Sequence, residues 1–255
     1  VYEDKKENYF NFSNDKDEPT LRLDVSYDKM YQTFKNIFKK CNLDTIVVKS
    51  NPESMKGTTS EEFQVLCNFG DNEIVKCTTC SYSSNIEEAS SLIKDKKDKS
   101  YDIKMLRKVY TPGVKTVKEL KEYFNADDDK ILKSLVIKAD SKYIMILLKG
   151  SDELNISKLE KVLKTKDIEI PSSYELERIG TEVGFIGPIK STMMIIADSE
   201  VKNMHNVICG ANIKDYHYKN ANPRIDFKID RYADLKNFND NSLCPKCGSK
   251  CEILN

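Results

Sequence analysis

Two Cys-x-x-Cys pairs, Cys77-Thr78-Thr79-Cys80 and Cys244-Pro245-Lys246-Cys247, lie far apart in the chain. Either pair alone says little. Together they supply Cys77, Cys80, Cys244 and Cys247, the thiolate set of a tetrahedral zinc site, with Cys251 in reserve. If the pairs meet, everything between Cys80 and Cys244 leaves one structural point and returns to it. A base domain then carries an inserted domain, and the insert is where chemistry is to be sought.

The 255 residues suffice for one large or two modest domains. A hydrophobic fraction of 39% supports buried cores, and a charged fraction of 32% predicts a heavily ionised surface. Basic and acidic residues number 41 each, so no global field draws the chain to nucleic acid or to a membrane. No apolar run approaches a bilayer span, and the polar start Val1-Tyr2-Glu3-Asp4-Lys5-Lys6 is unlike a signal peptide. The eight cysteines therefore read as reduced thiols and metal ligands in a cytoplasmic protein, an organellar address staying open.

Residues 1–20 are Asn/Asp/Lys-rich and read as loosely ordered. Met30, Phe34, Ile37, Phe38 and Cys41 form one apolar stripe and predict a helix over 27–41. Strands are expected at Thr45–Lys49, Phe63–Cys67 and Glu73–Lys76, the last delivering the first cysteine pair, and a short helix at Ile86–Ile93. The charged run Lys94–Lys99 reads as a linker. The divisions expected are a base over 1–105, an insert over 106–225 and a return to the base over 226–255. Within the insert, Thr116 with Glu119 and Ser172 with Glu175 match capping boxes, and Asn155 caps a third helix. Asp127, Asp128 and Asp129 mark the start of a short helix that runs into a strand at Leu135–Lys138. Buried strands follow at Tyr143–Leu148 and Met193–Ala197. Helices alternating with strands make the insert a mixed α/β layer structure.

Three features could carry chemistry. Lys133, in Ile131-Leu132-Lys133-Ser134-Leu135, either snorkels outward or is held in a pocket for use. Gly184-Phe185-Ile186-Gly187-Pro188 is either a plain turn or a loop bringing backbone N–H groups to a ligand oxygen. His217, one of two histidines, is either structural or catalytic. Metalloprotease, Walker, dinucleotide and serine-hydrolase arrangements are missing from the sequence.

Six blocks come in the order of one known domain: Thr111-Pro112-Gly113-Val114-Lys115-Thr116-Val117, Ile131–Leu135, Gly150-Ser151-Asp152-Glu153-Leu154-Asn155, Gly184–Pro188, Ile196-Ala197-Asp198, and Gly210-Ala211-Asn212 with Tyr216-His217-Tyr218. Over roughly residues 106–225 the chain resembles the editing insertion of bacterial-type prolyl-tRNA synthetases, of the YbaK-like deacylase superfamily. Met55–Phe63 resembles a segment of the same family's class II core, so the implied fold is part of that core with an inserted YbaK-like α/β domain. The resemblance implies that Lys133 is the essential editing lysine and that Gly187 gives a backbone donor. It also implies that Thr111, Asp198, His217, Gly184 and Pro188 contact substrate. The implied reaction is hydrolysis of the ester of Ala-tRNA(Pro), with no metal required. Oxyanion donors would serve the ester carbonyl, and a pocket sized for alanine would exclude proline.

Glu61 stands where the family usually has His, Lys56 replaces a glycine, and the first two class-defining motifs are not recognisable. ATP and magnesium therefore belong only to a complete parent synthetase, and this chain alone is not expected to aminoacylate. Expected partners are tRNA(Pro) mischarged with alanine and a second copy through the synthetase core; no membrane is expected. Two other readings stand beside this one: a degenerate fragment or paralogue that positions tRNA, and a zinc-ribbon interaction module without catalysis.

Overall fold

The computed structural model describes residues 18–50, 60–67, 70–93 and 102–255, with only the backbone course of 18–24. Residues 1–17, the Met55–Thr59 part of the synthetase-like segment and the charged run Lys94–Lys99 lie outside the described residues. Two compact units divide the chain: Val1–Glu73 with Leu254–Asn255, and Ile74–Ile253.

In the first unit, helix α1 spans Glu18–Lys40, starting earlier than the apolar stripe suggested. Strands β1 (Thr45–Ser50) and β2 (Ser60–Val65) pair antiparallel. The stripe on α1 has a definite partner. Tyr31, Phe34 and Phe38 surround the ring of Phe63, with centroids 5.2, 6.1 and 5.5 Å away. Glu61, the residue out of pattern, accepts a hydrogen bond from the Tyr27 hydroxyl at 2.8 Å.

The second unit begins with β3 (Ile74–Cys77) and β4 (Ser83–Asn85), an antiparallel pair. The helix expected over Ile86–Ile93 does not form. After turns at Asn85–Glu88 and Ile86–Ala89, the carbonyls of Glu87 and Ala89 accept hydrogen bonds from the side chains of Asn155 and Lys158. Tertiary donors take the acceptors that helical N–H groups would need.

The insert then runs β5 (Arg107–Tyr110), α2 (Val117–Phe124), β6 (Leu132–Ala139), β7 (Lys142–Lys149), α3 (Ile156–Leu163), β8 (Ile168–Glu169), α4 (Ser173–Arg178), β9 (Met194–Asp198), β10 (Val207–Gly210), β11 (Tyr216–Ala221) and β12 (Arg231–Ala233). Strand β13 (Cys251–Leu254) closes the chain beside β3. All three helix starts read from side chains are present: capping boxes at Thr116 and Ser172, and Asn155 accepting from the Lys158 amide. The aspartate cluster makes only a single 3-10 turn, Asp128–Lys130, and Asp127 gives no side-chain cap. Lys133 is consequently a strand residue.

Asp140 and Ser141, both at positive φ, turn β6 back antiparallel onto β7. Strand β9 joins β7 in parallel and β12 joins β9 in parallel, giving the mixed order β12-β9-β7-β6-β8. A second, antiparallel sheet runs β10-β11-β5. Met145, Ile146, Leu147 and Leu148 on the central strand β7 are all fully buried because both faces of this sheet are covered. One face packs with Leu132, Val136 and Cys209, and the other with Ile137, Leu159 and Leu235.

Candidate functional site

The two sheets of the insert meet at a parallel bridge between Ile131 and Ile208, both buried under Val117 and Leu120 of α2. From that bridge the strands run the same way, so Lys133 and Gly210 each stand two residues on. Alternation along a strand keeps each on the face of its bridge residue. Gly210 is paired with His217, which brings His217 to the same face.

His217 is 1% exposed, and its Nδ1 lies 2.7 Å from Thr111 Oγ1, itself fully buried. The Thr111 amide is fixed by donating to the Asp215 carbonyl at 2.8 Å. Phe185 walls the imidazole, with ring centroids 5.3 Å apart. Burial pulls the His217 pKa down to about 4. The ring is therefore neutral at neutral pH: it orients a hydroxyl and shapes a small wall without bringing charge to the site.

The glycine-bracketed loop is built by close approach. A Cβ on Gly187 would stand 1.8 Å from the Gly210 carbonyl oxygen, and one on Gly210 would stand 2.1 Å from the Phe185 oxygen. Gly184 lies at φ +86, with the Lys115 side chain against it, and Pro188 is buried. Asn212 clamps the loop. Its Oδ1 accepts from the Gly187 amide at 2.9 Å, its Nδ2 donates to the Gly187 carbonyl at 2.8 Å, and its own amide donates to the Phe185 carbonyl at 2.8 Å. The Gly187 N–H, expected to face a ligand oxygen, is thus engaged by Asn212. In the sequence Asn212 stands out only as the end of the Gly210-Ala211-Asn212 block, a turn-prone run. Its positive φ of 56° fits that turn, but the clamp links positions 25 apart, which local pattern does not encode.

Lys133 does not snorkel into open solvent. Its side chain is 16% exposed and its Nζ lies 2.9 Å from Oε1 of Glu153, an exposed carboxylate. Neighbouring Asp152 is buried, and burial raises its pKa; its Oδ2 stands 3.8 Å from Lys236 Nζ and makes no hydrogen bond. Asp198 ends β9, and only strand β7 separates it from the Lys133 strand β6. Its Oδ1 accepts from the Glu200 amide at 2.8 Å and its Oδ2 from the Leu235 amide at 2.9 Å. Both oxygens are occupied in fixing backbone, and burial raises this carboxyl's pKa as well. The geometry thus brings Thr111 and His217 together, groups Gly184, Gly187 and Pro188 in one loop against Gly210, and places Lys133 on the same sheet face.

The cysteines form a separate centre. The sulfurs of Cys77, Cys80, Cys244 and Cys247 all lie within 4.8 Å of one another. Cys77 Sγ is 3.5 Å from Cys247 Sγ, and Cys80 Sγ is 3.6 Å from Cys244 Sγ.

Comparison with known proteins gives a consistent picture. Residues 111–227 match the model of the aminoacyl-tRNA editing domain. A proline–tRNA ligase of Caldicellulosiruptor saccharolyticus is 40% identical over 229 residues, which are 89% of this chain and 40% of the relative. One from Thermoanaerobacter sp. strain X514 is 39% identical over 238 residues, covering 91% of this chain and 41% of the relative. One from Brachyspira hyodysenteriae is 36% identical, covering 89% and 40%. The chain therefore spans about two fifths of the length of these relatives.

Proposed function

Residues 111–227 belong to the aminoacyl-tRNA editing domains, set in a stretch of bacterial-type prolyl-tRNA synthetase sequence, and from that premise we propose that this chain hydrolyses the ester of Ala-tRNA(Pro). The observation that carries the reading is the buried Thr111–His217 pair walled by Phe185 beside the Gly187–Gly210 contact. A neutral, rigid wall of this kind can bound a pocket for a methyl side chain. A larger prolyl ring would have to displace Phe185 or the imidazole, both packed to near-zero exposure.

In the reaction, water adds to the acyl carbon and the bond to the ribose oxygen breaks. The proton of water ends on that ribose hydroxyl, releasing alanine and intact tRNA. Lys133 supplies positive charge for the terminal adenosine phosphate or the developing oxyanion. Glu153 holds its ammonium in place until substrate arrives. The loop Gly184–Pro188, fixed by Asn212, gives the backbone surface against which the ester lies. Recognition of the tRNA body and ligation of proline would belong to the rest of a synthetase.

The test is deacylation of Ala-tRNA(Pro) by the purified chain at high enzyme concentration, with Pro-tRNA(Pro) as the comparison substrate. Lys133→Ala is expected to lower kcat/KM for the alanyl ester by about 100-fold or more, the loss of a charge aimed at the transition state. Hydrolysis of both esters at equal rates, or full activity in Lys133→Ala, would defeat the proposal.

A further inference from the structure

Ester hydrolysis at the insert makes no use of the cysteine quartet. We infer that Cys77, Cys80, Cys244 and Cys247 bind one zinc ion, and that the metal-ordered turn after Cys80 is the seat on which helix α3 of the insert is docked. The inference is independent of the editing reading.

The donor set fits zinc. At a Zn–S distance of about 2.3 Å, tetrahedral coordination sets sulfurs about 3.8 Å apart. The Cys77–Cys247 and Cys80–Cys244 separations of 3.5 and 3.6 Å, with every sulfur pair within 4.8 Å, lie around that edge length. The backbone is shaped to present sulfur inward at both knuckles. At the first, the amides of Thr79 and Cys80 both donate to Cys77 Sγ at 3.4 Å. At the second, the Gly248 amide donates to the Cys244 carbonyl at 2.9 Å, and Gly248 takes φ +74 to close the turn. An all-thiolate tetrahedron with no open position is a structural site. Cys251 is not in the quartet: it stands on β13, packed at the edge of the apolar cluster of Val75, Tyr82 and Phe238.

Residues 86–90 form no helix; beyond two local turns and the Tyr82–Ser90 hydrogen bonds, the Glu87 and Ala89 carbonyls and the Glu88 carboxylate are partnered by α3. Asn155, the N-cap of α3, donates to the Glu87 carbonyl at 3.0 Å. Lys158 Nζ, on a residue 8% exposed, donates to the Ala89 carbonyl at 2.7 Å, to both oxygens of Asp234 and to the Lys236 carbonyl. Lys161 pairs with Glu88. Leu92 donates from its amide to the Leu243 carbonyl, one residue before Cys244, at 2.9 Å. A cation that fixes Cys80 to Cys244 therefore also fixes both ends of the seat.

The experiment uses the whole chain, purified reduced and without added metal. Metal analysis is expected to give roughly one zinc per chain. Cobalt substitution is expected to give the sulfur-to-metal charge-transfer and intense visible bands of tetrahedral thiolate coordination. Cys80→Ser is expected to lose those bands or bind at least tenfold more weakly, while Cys251→Ser keeps them. Amide exchange with and without zinc should show slower exchange at 86–90 and across α3 on loading. A reduced chain that takes up neither metal, iron as the resident ion, or loss of cobalt bands in Cys251→Ser alone would overturn the zinc assignment. Protection that rises at 77–80 and 244–248 but not in α3 would overturn the seat.

Discussion

Gly187→Ala is the substitution whose consequence is most closely fixed by geometry. The new methyl would lie 1.8 Å from the Gly210 oxygen, where non-bonded atoms need at least 3.0 Å, so one backbone must retreat by more than about 1 Å. Neither side has a flexible end to yield, because both partners are main chain. Retreat stretches the two hydrogen bonds that Asn212 makes to Gly187, at 2.9 and 2.8 Å. Overpacking of this kind costs about 1–3 kcal/mol, and the two bonds add about 0.5–1.5 kcal/mol each. A total near 3–4 kcal/mol is expected from these ranges. The control is Gly113→Ala, where φ is +75 but nothing lies within 4 Å of the added carbon. There only backbone strain remains, about 1 kcal/mol. Urea unfolding followed by far-ultraviolet circular dichroism suits a chain with 13 tyrosines and no tryptophan. Alanyl-ester hydrolysis, measured on the folded fraction, should fall with Gly187→Ala and hold with Gly113→Ala. Equal midpoints for the two variants would refute the close-contact reasoning.

His217 makes stability depend on acid. Its folded pKa of about 4 lies below the ordinary 6.5. Between those values the unfolded chain takes up a proton that the folded one does not. Stability is then complete above pH 6.5 and falls as pH drops towards 4, by up to about 3 kcal/mol at roughly 1.4 kcal/mol per pH unit. Unfolding midpoints from pH 7 to 4.5 should show this slope in the parent and a flatter one in His217→Gln; identical slopes would remove His217 as its source. Lys158→Met should cost about 2–3 kcal/mol, because it strips the donor from two carbonyls and from Asp234, which is partly open to water. A denaturation midpoint unchanged from the parent would show that α3 needs no ammonium at its seat.

Much of the fold was legible where the governing interaction is local. Thr116 with Glu119, Asn155, and Ser172 with Glu175 each satisfy amides within three residues, and each appears where the sequence placed it. Failures fell where distant partners decide. The apolar residues of Ile86–Ile93 suggested a helix, but Asn155 and Lys158 claim the carbonyls there. The aspartates at 127–129 suggested a short helix reaching to a strand at Leu135, but Ile131 is drawn into the bridge to Ile208 and β6 already begins at Leu132, which leaves room for one 3-10 turn. At the site, residue types were readable and their partners were not. That Thr111 meets His217 follows from β5 pairing with β11, across more than a hundred residues. The clamp from Asn212 to Gly187 depends on two glycines touching through space, which no spacing rule records.

Asp198 shows how a residue apart from the Thr111–His217 pair is still tied to the site. It was expected to touch substrate, yet one oxygen caps the turn at Glu200 and the other holds the amide of Leu235. Leu235 is fully buried and accepts from the Asn155 amide; Leu154 bridges to Lys236, and the Asn237 amide donates to the Glu153 carbonyl at 2.9 Å. Lys236 adds an ion pair to Glu200 at 2.6 Å. The run 235–237 is therefore laced along the loop 153–155, and the Glu153 side chain at the head of that loop pairs with Lys133. These residues lie beyond the family match, which stops at 227, although β12 continues the sheet through 231–233. Asp198, through Leu235 and the backbone of Glu153, thus sets where the carboxylate partner of Lys133 stands. A buried carboxylate whose two oxygens both accept backbone amides is rigid and hard to replace, and rigidity is what the electrostatic role proposed for Lys133 would require of its surroundings.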